Sequence, residues 1–213
     1  MPAMPRPLTD VPARVIASAE GLFAEFGYQG CSLLRIAKAA GTSESGVLRF
    51  FASKEDVFLA VIESALAELH ARIDAALGAP SAPAPEAVVE RLILLIRVVF
   101  DMYETHPEKV ALIFSEGGLS IRMLKGSQGR TLMTLPGMLQ LVELIDTLCA
   151  QGCRRGAFSG VDPVAVRESW FGIVEGAILG WLLSSNPAAE YTSVSARKML
   201  KVATKMFAGL ASP

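Results

Sequence analysis

The sequence predicts an all-α fold, and three observations support this prediction. Apolar residues recur at helical spacing along most of the 213 residues. No segment shows the alternating β-branched pattern that is typical of a strand. Between Ser32 and Asp56, two short amphipathic helices flank a glycine turn, and the start of another helix follows.

The first predicted helix follows a proline-rich arm at the start of the chain and ends near Gly27. Its apolar positions repeat at helical spacing: Val15, Ala19, Leu22 and Phe26. Ser32 is a good N-cap for a second helix, which Gly41 ends because glycine adopts the left-handed conformation without steric cost.

The third predicted helix completes a helix-turn-helix. Ser43 caps it, and Val47 and Phe51 point back at the second helix. Two helices joined by a short turn that contains glycine form this motif, whose second helix reads the DNA major groove. The sequence therefore predicts a DNA-binding regulator.

The fourth helix begins at the S-x-x-D box of Ser53 and Asp56 and runs to about Leu77. The segment GAPSAPAP at Gly78–Pro85 contains three prolines in a run of small residues and cannot stay helical. We place a domain boundary there. The predicted units are a helix-turn-helix domain at 10–52, a connecting helix at 53–78 and a second helical domain at 79–213.

The second domain is predicted to be helical throughout. Pro136 is expected inside the first turns of one helix, and Asp162 and Pro163 give a strong start signal for the next. The predicted helices cover Pro85–Tyr103, His106 to Gly117, Leu132–Cys153, Pro163 to about Ser185, and roughly Ala189–Ala211.

Three motifs within Ala13–Glu63, about a quarter of the chain, resemble the TetR family of transcriptional repressors. They are F-x-x-x-G-Y at Phe23–Tyr28, IAKAAG at Ile36–Gly41 and F-F-x-S-K-E-D at Phe50–Asp56. The sequence departs from the family pattern in the third helix. The family usually has a phosphate-contacting tyrosine where Leu48 stands, and a small or basic residue where Glu44 stands.

The exposed face of the third helix is the predicted DNA-reading surface, and the alternative is a solvated helix face. This face carries Ser43, Glu44, Ser45, Gly46 and Arg49. Arg49 has the geometry to bind guanine or a phosphate, and Glu44 to accept from cytosine or complement the helix dipole. The resemblance implies that Lys54 contacts a phosphate. Ser32 and Arg35 are placed to reach the DNA backbone.

The aromatic and methionine side chains of the second half form either core or the wall of a pocket for an apolar ligand. The resemblance implies an effector cavity here, for a small, largely apolar molecule. Glu175 is either its polar handle or a hydrogen-bonding group at a dimer interface. The candidate ligand-binding residues are Phe100, Tyr103, Phe114, Met123, Met138, Trp170 and Glu175.

A glycine stripe predicts close helix packing in the same half. Gly172, Gly176 and Gly180 share one helix face, although glycine costs a helix up to about 1 kcal/mol relative to alanine. Packing inside the subunit is one interpretation, and the resemblance implies the other, an intersubunit four-helix bundle in a homodimer. The matching seam on the last helix includes Met199, Ala203 and Met206.

Charge and composition limit the classes of function that the sequence allows. The net charge is −1, and residues 1–60 hold six Lys or Arg and six Asp or Glu, so non-specific DNA binding is expected to be weak.

Cys149 and Cys153 lie four residues apart near two arginines, and we interpret them as core residues rather than a redox sensor. We find no metal-ligand, cofactor or catalytic pattern, so no enzyme is expected. No signal peptide or membrane span is visible, which predicts a cytoplasmic protein.

These predictions combine into a ligand-responsive repressor that binds a pseudo-palindromic operator in double-stranded DNA. The alternative is a helical small-molecule-binding or adaptor protein whose helix-turn-helix no longer reads DNA. Glu44, Leu48 and the neutral charge favour that alternative.

Overall fold

The structure is a computed structural model that describes residues 10–78, 85–114, 129, 131–184 and 196–210. These residues form nine α-helices and one short 3₁₀ turn, and they contain no strand, so the predicted all-α fold is confirmed. The helices are α1 Val11–Gly30, α2 Leu33–Ala39, α3 Glu44–Leu48, α4 Lys54–Leu77, α5 Pro85–Thr105, α6 Pro107–Phe114, α7 Pro136–Arg154, α8 Pro163–Ser184 and α9 Ala196–Leu210.

Serine caps start α2, α3 and α4 as the sequence predicts. The hydroxyl oxygens of Ser32, Ser43 and Ser53 each accept a hydrogen bond from the backbone N–H three residues later, at 3.2, 3.1 and 3.1 Å. Each bond satisfies an N–H that the first helical turn leaves unpaired. The three caps therefore fix where the helices of the N-terminal unit begin.

Gly27 interrupts the first helix where the sequence predicts its end, because its backbone leaves the helical conformation at φ 68°, and a short helical segment follows to Gly30. Two other predicted helix boundaries shift in the structure. Phe51 is buried but follows α3, which ends at Leu48. Pro136 begins α7 rather than lying inside it, because its missing N–H costs nothing at the first helical position. The predicted ends at Gly117 and Ala189 lie outside the described residues.

Helix α4 occupies the centre of the molecule and packs against α1, α5, α6 and α7. An aromatic cluster joins it to α1: the Phe58 ring lies 4.8 Å from the Phe23 ring and 5.1 Å from the Tyr28 ring, both edge-on. Such aromatic pairs add about 0.5–1.5 kcal/mol to their area burial. The first turns of α4 are thus fixed to the N-terminal unit.

The close helix packing within the subunit is made by α7. A Cβ added to Gly137 would lie 2.8 Å from Cβ of Leu66 on α4. A Cβ added to Gly152 would lie 2.6 Å from ring atoms of Phe158, which is fully buried. Neither glycine stands out in the sequence.

None of the helices in the described ranges combines the length and apolar character needed to span a bilayer.

Candidate nucleic-acid interface

The turn between α2 and α3 sets the orientation of the predicted reading helix. Gly41 adopts φ 65°, in the left-handed region that favours glycine. Val47 is fully buried against the core, and this orientation exposes Glu44, Leu48 and Arg49 to solvent. The structure therefore brings the predicted reading residues together on one exposed face.

Arg49 and Lys38 are the cations best placed for DNA in the N-terminal unit. Both side chains are exposed, and within the described residues neither makes a hydrogen bond or an ion pair. Arg14 differs, because it donates to the Ala40 carbonyl at 3.0 Å and pairs with Asp10 at 2.9 Å. An unpaired, solvated guanidinium can bind guanine or phosphate without first breaking an internal bond.

Ser43, Ser45 and Gly46 form the first turn of α3 and its cap. The Ser43 hydroxyl accepts from the Gly46 N–H and hydrogen-bonds the Ser45 hydroxyl at 3.0 Å. A Cβ added to Gly46 would collide with the Thr42 hydroxyl. Glycine at this position therefore has a structural reason, separate from any DNA contact.

Ser32 and Arg35 lie at the start of α2, where both are exposed. The Arg35 guanidinium lies 4.0 Å from the centre of the Phe26 ring and donates to the Gly30 carbonyl at 3.4 Å. Their predicted contacts with the DNA backbone stay a prediction. Arg35 also stacks on the end of α1, a packing role that the sequence did not suggest.

Lys54 has a structural role that the sequence did not suggest either. Its ammonium donates to the carbonyls of Tyr28 and Cys31, at 3.0 and 3.1 Å, and lies 4.2 Å from the centre of the Tyr28 ring. Two of its three N–H donors are therefore occupied within the subunit. Lys54 ties the end of α1 to the start of α4, and its predicted phosphate contact would have to use the remaining donor.

A second unpredicted feature is an ion-pair cluster that joins α1, α4 and α6. The Lys109 ammonium on α6 lies 2.6 Å from a Glu68 carboxylate oxygen on α4 and 3.5 Å from one of Glu20 on α1. The hydrogen bond from Lys109 lowers the pKa of Glu68, and the Glu68 carboxylate raises the pKa of Lys109. Arg72 also pairs with Glu68, at 2.9 Å.

Residues 15–61 match the family model described as bacterial regulatory proteins, tetR family. These residues contain α2, α3 and their caps, most of α1 and the first turns of α4. The N-terminal unit is therefore a TetR-family helix-turn-helix domain.

Solved structures resemble this chain over nearly its whole length. The fatty acid degradation regulator FadR from Bacillus halodurans is 20% identical with TM-score 0.67, over 92% of this chain and 93% of that one. AibR, in complex with isovaleryl coenzyme A and operator DNA, is 18% identical with TM-score 0.66, over 92% and 98%. FadR from Bacillus subtilis, in complex with stearoyl-CoA, is 16% identical with TM-score 0.62, over 94% and 99%.

At these identities the likeness shows a shared fold. It extends through the second half of this chain, beyond the residues that the family model matches. No curated protein matches the chain.

Most of the predicted ligand-binding residues that the structure describes are buried in the helical core of the second half. Phe100, Tyr103, Met138 and Trp170 are each at most 6% exposed. The Trp170 indole N–H donates to the Leu92 carbonyl at 3.0 Å, so its polar atom is satisfied inside the subunit. Glu175 is partly buried on α8. The Phe114 side chain and Met123 lie outside the described part of the chain.

The predicted dimer residues lie on α8 and α9. Among the described residues, no atom lies within 4 Å of a Cβ added to Gly172 or Gly176. Met206 is 51% exposed on α9. Gly180 is partly buried on α8, and the side chains of Met199 and Ala203 are outside the described part of the chain.

The cysteines of α7 behave as core residues. Cys149 is fully buried, and this burial raises the pKa of its thiol to about 12. Burial also raises the pKa of Cys153, whose thiol lies 3.4 Å from the Val161 carbonyl. The arginines that follow therefore do not create a reactive thiolate.

Proposed function

We propose that this TetR-family regulator is a cytoplasmic repressor that binds a pseudo-palindromic operator as a homodimer and is released by an apolar effector. The exposed face of α3 carries this proposal, because Arg49 stands on it without an internal partner among the described residues. The buried Val47 and the Ser43 cap fix the orientation of that face. Such a helix presents its polar face to base edges in the major groove.

The homodimer is proposed to form through α8 and α9. The open surface at Gly172 and Gly176 lets a partner backbone approach closely, and the exposed Met206 and Val202 on α9 add apolar surface. A two-fold dimer presents two copies of α3, which suits an operator with two-fold symmetry. Each half-site then adds to the affinity, which compensates for the low net charge of the N-terminal unit.

The proposed effector is an acyl thioester of coenzyme A. This class is suggested by similar structures: AibR binds isovaleryl coenzyme A, and FadR from Bacillus subtilis binds stearoyl-CoA. An acyl chain also matches the aromatic and methionine side chains of the second half of this chain. The candidate residues come from four helices, α5, α6, α7 and α8, so that a bound chain would contact several elements at once.

Release of the repressor from its operator requires that the effector bind the released conformation more tightly than the operator-bound conformation. Helix α6 packs against α1, α4 and α8 and so connects the proposed effector region to the DNA-binding domain. Helix α4, with 24 residues, is about 36 Å long at 1.5 Å per residue. A tilt of α4 would change the separation of the two α3 helices, which must be about 34–36 Å apart to enter successive major grooves.

An operator-binding experiment tests the proposal. The full chain selects duplexes from a random double-stranded pool, and the enriched duplex is titrated by fluorescence anisotropy at several salt concentrations. We expect sequence-specific binding that Arg49→Ala weakens and that Arg154→Ala, at a distant exposed arginine, leaves unchanged. Stearoyl-CoA or isovaleryl-CoA is expected to weaken binding.

The same experiment separates the alternative function. An adaptor whose helix-turn-helix no longer reads DNA would enrich no duplex at any salt concentration, although it could still bind an acyl-CoA. If a duplex is enriched but neither acyl-CoA weakens its binding, the DNA-binding function is retained and this effector class is rejected.

A further inference from the structure

One apolar side chain interrupts the otherwise polar exposed face of α3. Leu48 is 45% exposed, while the adjacent Val47 is fully buried. Glu44 lies one turn before Leu48 on the same exposed face, and Arg49 follows it. Leu48 thus stands between an acidic and a basic side chain on the surface proposed to enter the major groove.

Leu48 differs in position from the other large apolar side chains that the described DNA-binding domain exposes. Leu34 lies on α2, Phe50 follows the end of α3, and the Phe26 ring on α1 is covered by the Arg35 guanidinium. Leu48 alone among them is part of the proposed reading helix. Val47 already supplies the core contact of this helix, so the fold does not require an apolar residue at Leu48.

The chemistry of the groove limits what Leu48 can contact. Leucine has no hydrogen-bond donor or acceptor, so it cannot bind a phosphate oxygen or a polar base edge as a tyrosine would. The C5-methyl group of thymine is the apolar group that base pairs present in the major groove. Contact between two apolar groups removes both from water and is therefore favourable.

We propose that Leu48 is a specificity-determining residue that contacts a thymine C5-methyl group in each operator half-site. This inference rests on the proposed DNA-binding function. Arg49 and Leu48 then have separate roles, since the guanidinium contacts guanine or a phosphate and the leucine favours thymine at a neighbouring position. Loss of one methyl group from the contact should weaken binding about fourfold at each half-site.

The test removes the methyl group from the DNA. Each thymine of the enriched duplex is replaced in turn by deoxyuridine, which keeps the base pairing and lacks only the C5-methyl. Wild type, Leu48→Ala and the control Leu34→Ala are titrated against each duplex. We expect one symmetry-related pair of thymines at which deoxyuridine weakens wild type and Leu34→Ala, but not Leu48→Ala.

The outcomes separate this inference from the proposed function. Deoxyuridine could cost Leu48→Ala and wild type the same affinity at every thymine of an enriched duplex. That result would overturn the role of Leu48 and keep the DNA-binding function. A pool from which no duplex is enriched would overturn both. Because Leu48 is half-exposed and faces away from the core, Leu48→Ala is expected to fold, which circular dichroism checks directly.

Discussion

The Lys109 ammonium lies 2.6 Å from the Glu68 carboxylate and 3.5 Å from the Glu20 carboxylate, so one cation on α6 links α4 to α1. The side chains are 20%, 29% and 23% exposed in that order, so solvent only partly screens the pairs. This cluster is a polar contact between the DNA-binding domain and the helices that follow it. The strength of these ion pairs should affect the stability of the fold and the proposed release from the operator.

Glu20→Gln tests the link to α1. The substitution keeps the shape of the side chain but removes the charge that faces Lys109. We expect a loss of about 0.5–1 kcal/mol in the free energy of unfolding, measured in urea. Glu25→Gln on the same helix is the control, since Glu25 is exposed and should give almost no change. Equal effects of the two substitutions would show that the pair with Lys109 adds no stability.

The pKa of Glu68 gives a pH-dependent prediction. Lys109 lowers that pKa in the folded state, with a smaller contribution from Arg72. A lowered carboxyl pKa stabilises the fold above the unfolded value of about 4.3 and loses that effect as the pH falls through the folded value. The stability difference between wild type and Glu68→Gln should therefore be full at neutral pH and shrink in acid. Urea unfolding across this range measures it, and a constant difference would contradict the assignment.

Gly152→Ala should destabilise the fold. The added methyl would lie 2.6 Å from the ring of Phe158, which is fully buried. Overpacking of this kind costs about 1–3 kcal/mol. Gly21→Ala is the matched control, because its Cβ enters open space on α1 and the change improves helix propensity. In thermal unfolding, the melting temperature should fall for Gly152→Ala and should stay the same or rise for Gly21→Ala.

The sequence predicted local features well because they depend on residues near each other in the chain. The caps of Ser32, Ser43 and Ser53 are examples, since each bond closes within one helical turn. The roles of Lys54 and Lys109 could not be predicted in this way. Their partners lie 23 to 89 residues away, and only the packing of α1, α4 and α6 brings them together.

The glycines show the same limit. The regular spacing of Gly172 and Gly176 predicts close packing, but no atom of the described residues lies within 4 Å of a Cβ added to either glycine. The glycines that pack closely inside the subunit, Gly137 and Gly152, have no spacing that distinguishes them. A sequence pattern shows that a helix has a smooth face, whereas the neighbour of that face depends on the tertiary structure.

Gly176→Leu tests the proposed dimer. Because a Cβ at this position meets no atom of the described residues, a leucine there should leave the subunit folded and obstruct a partner. We expect light scattering to show a dimer for wild type and a monomer for the variant, with helical circular dichroism retained. Gly21→Leu, on the exposed surface of α1, should stay dimeric. A wild-type monomer at micromolar concentration would reject the dimer.

The exposed face of α3 is proposed to read DNA, and one titration tests this role most directly. The duplex enriched from a random pool is titrated with wild type and with Arg49→Ala under identical salt, and a scrambled duplex serves as reference. We predict that wild type prefers the enriched duplex by about 10³-fold or more, and that Arg49→Ala loses at least about 1–3 kcal/mol of this preference. Equal affinity of the two proteins for the enriched duplex would contradict a DNA-reading role for this face.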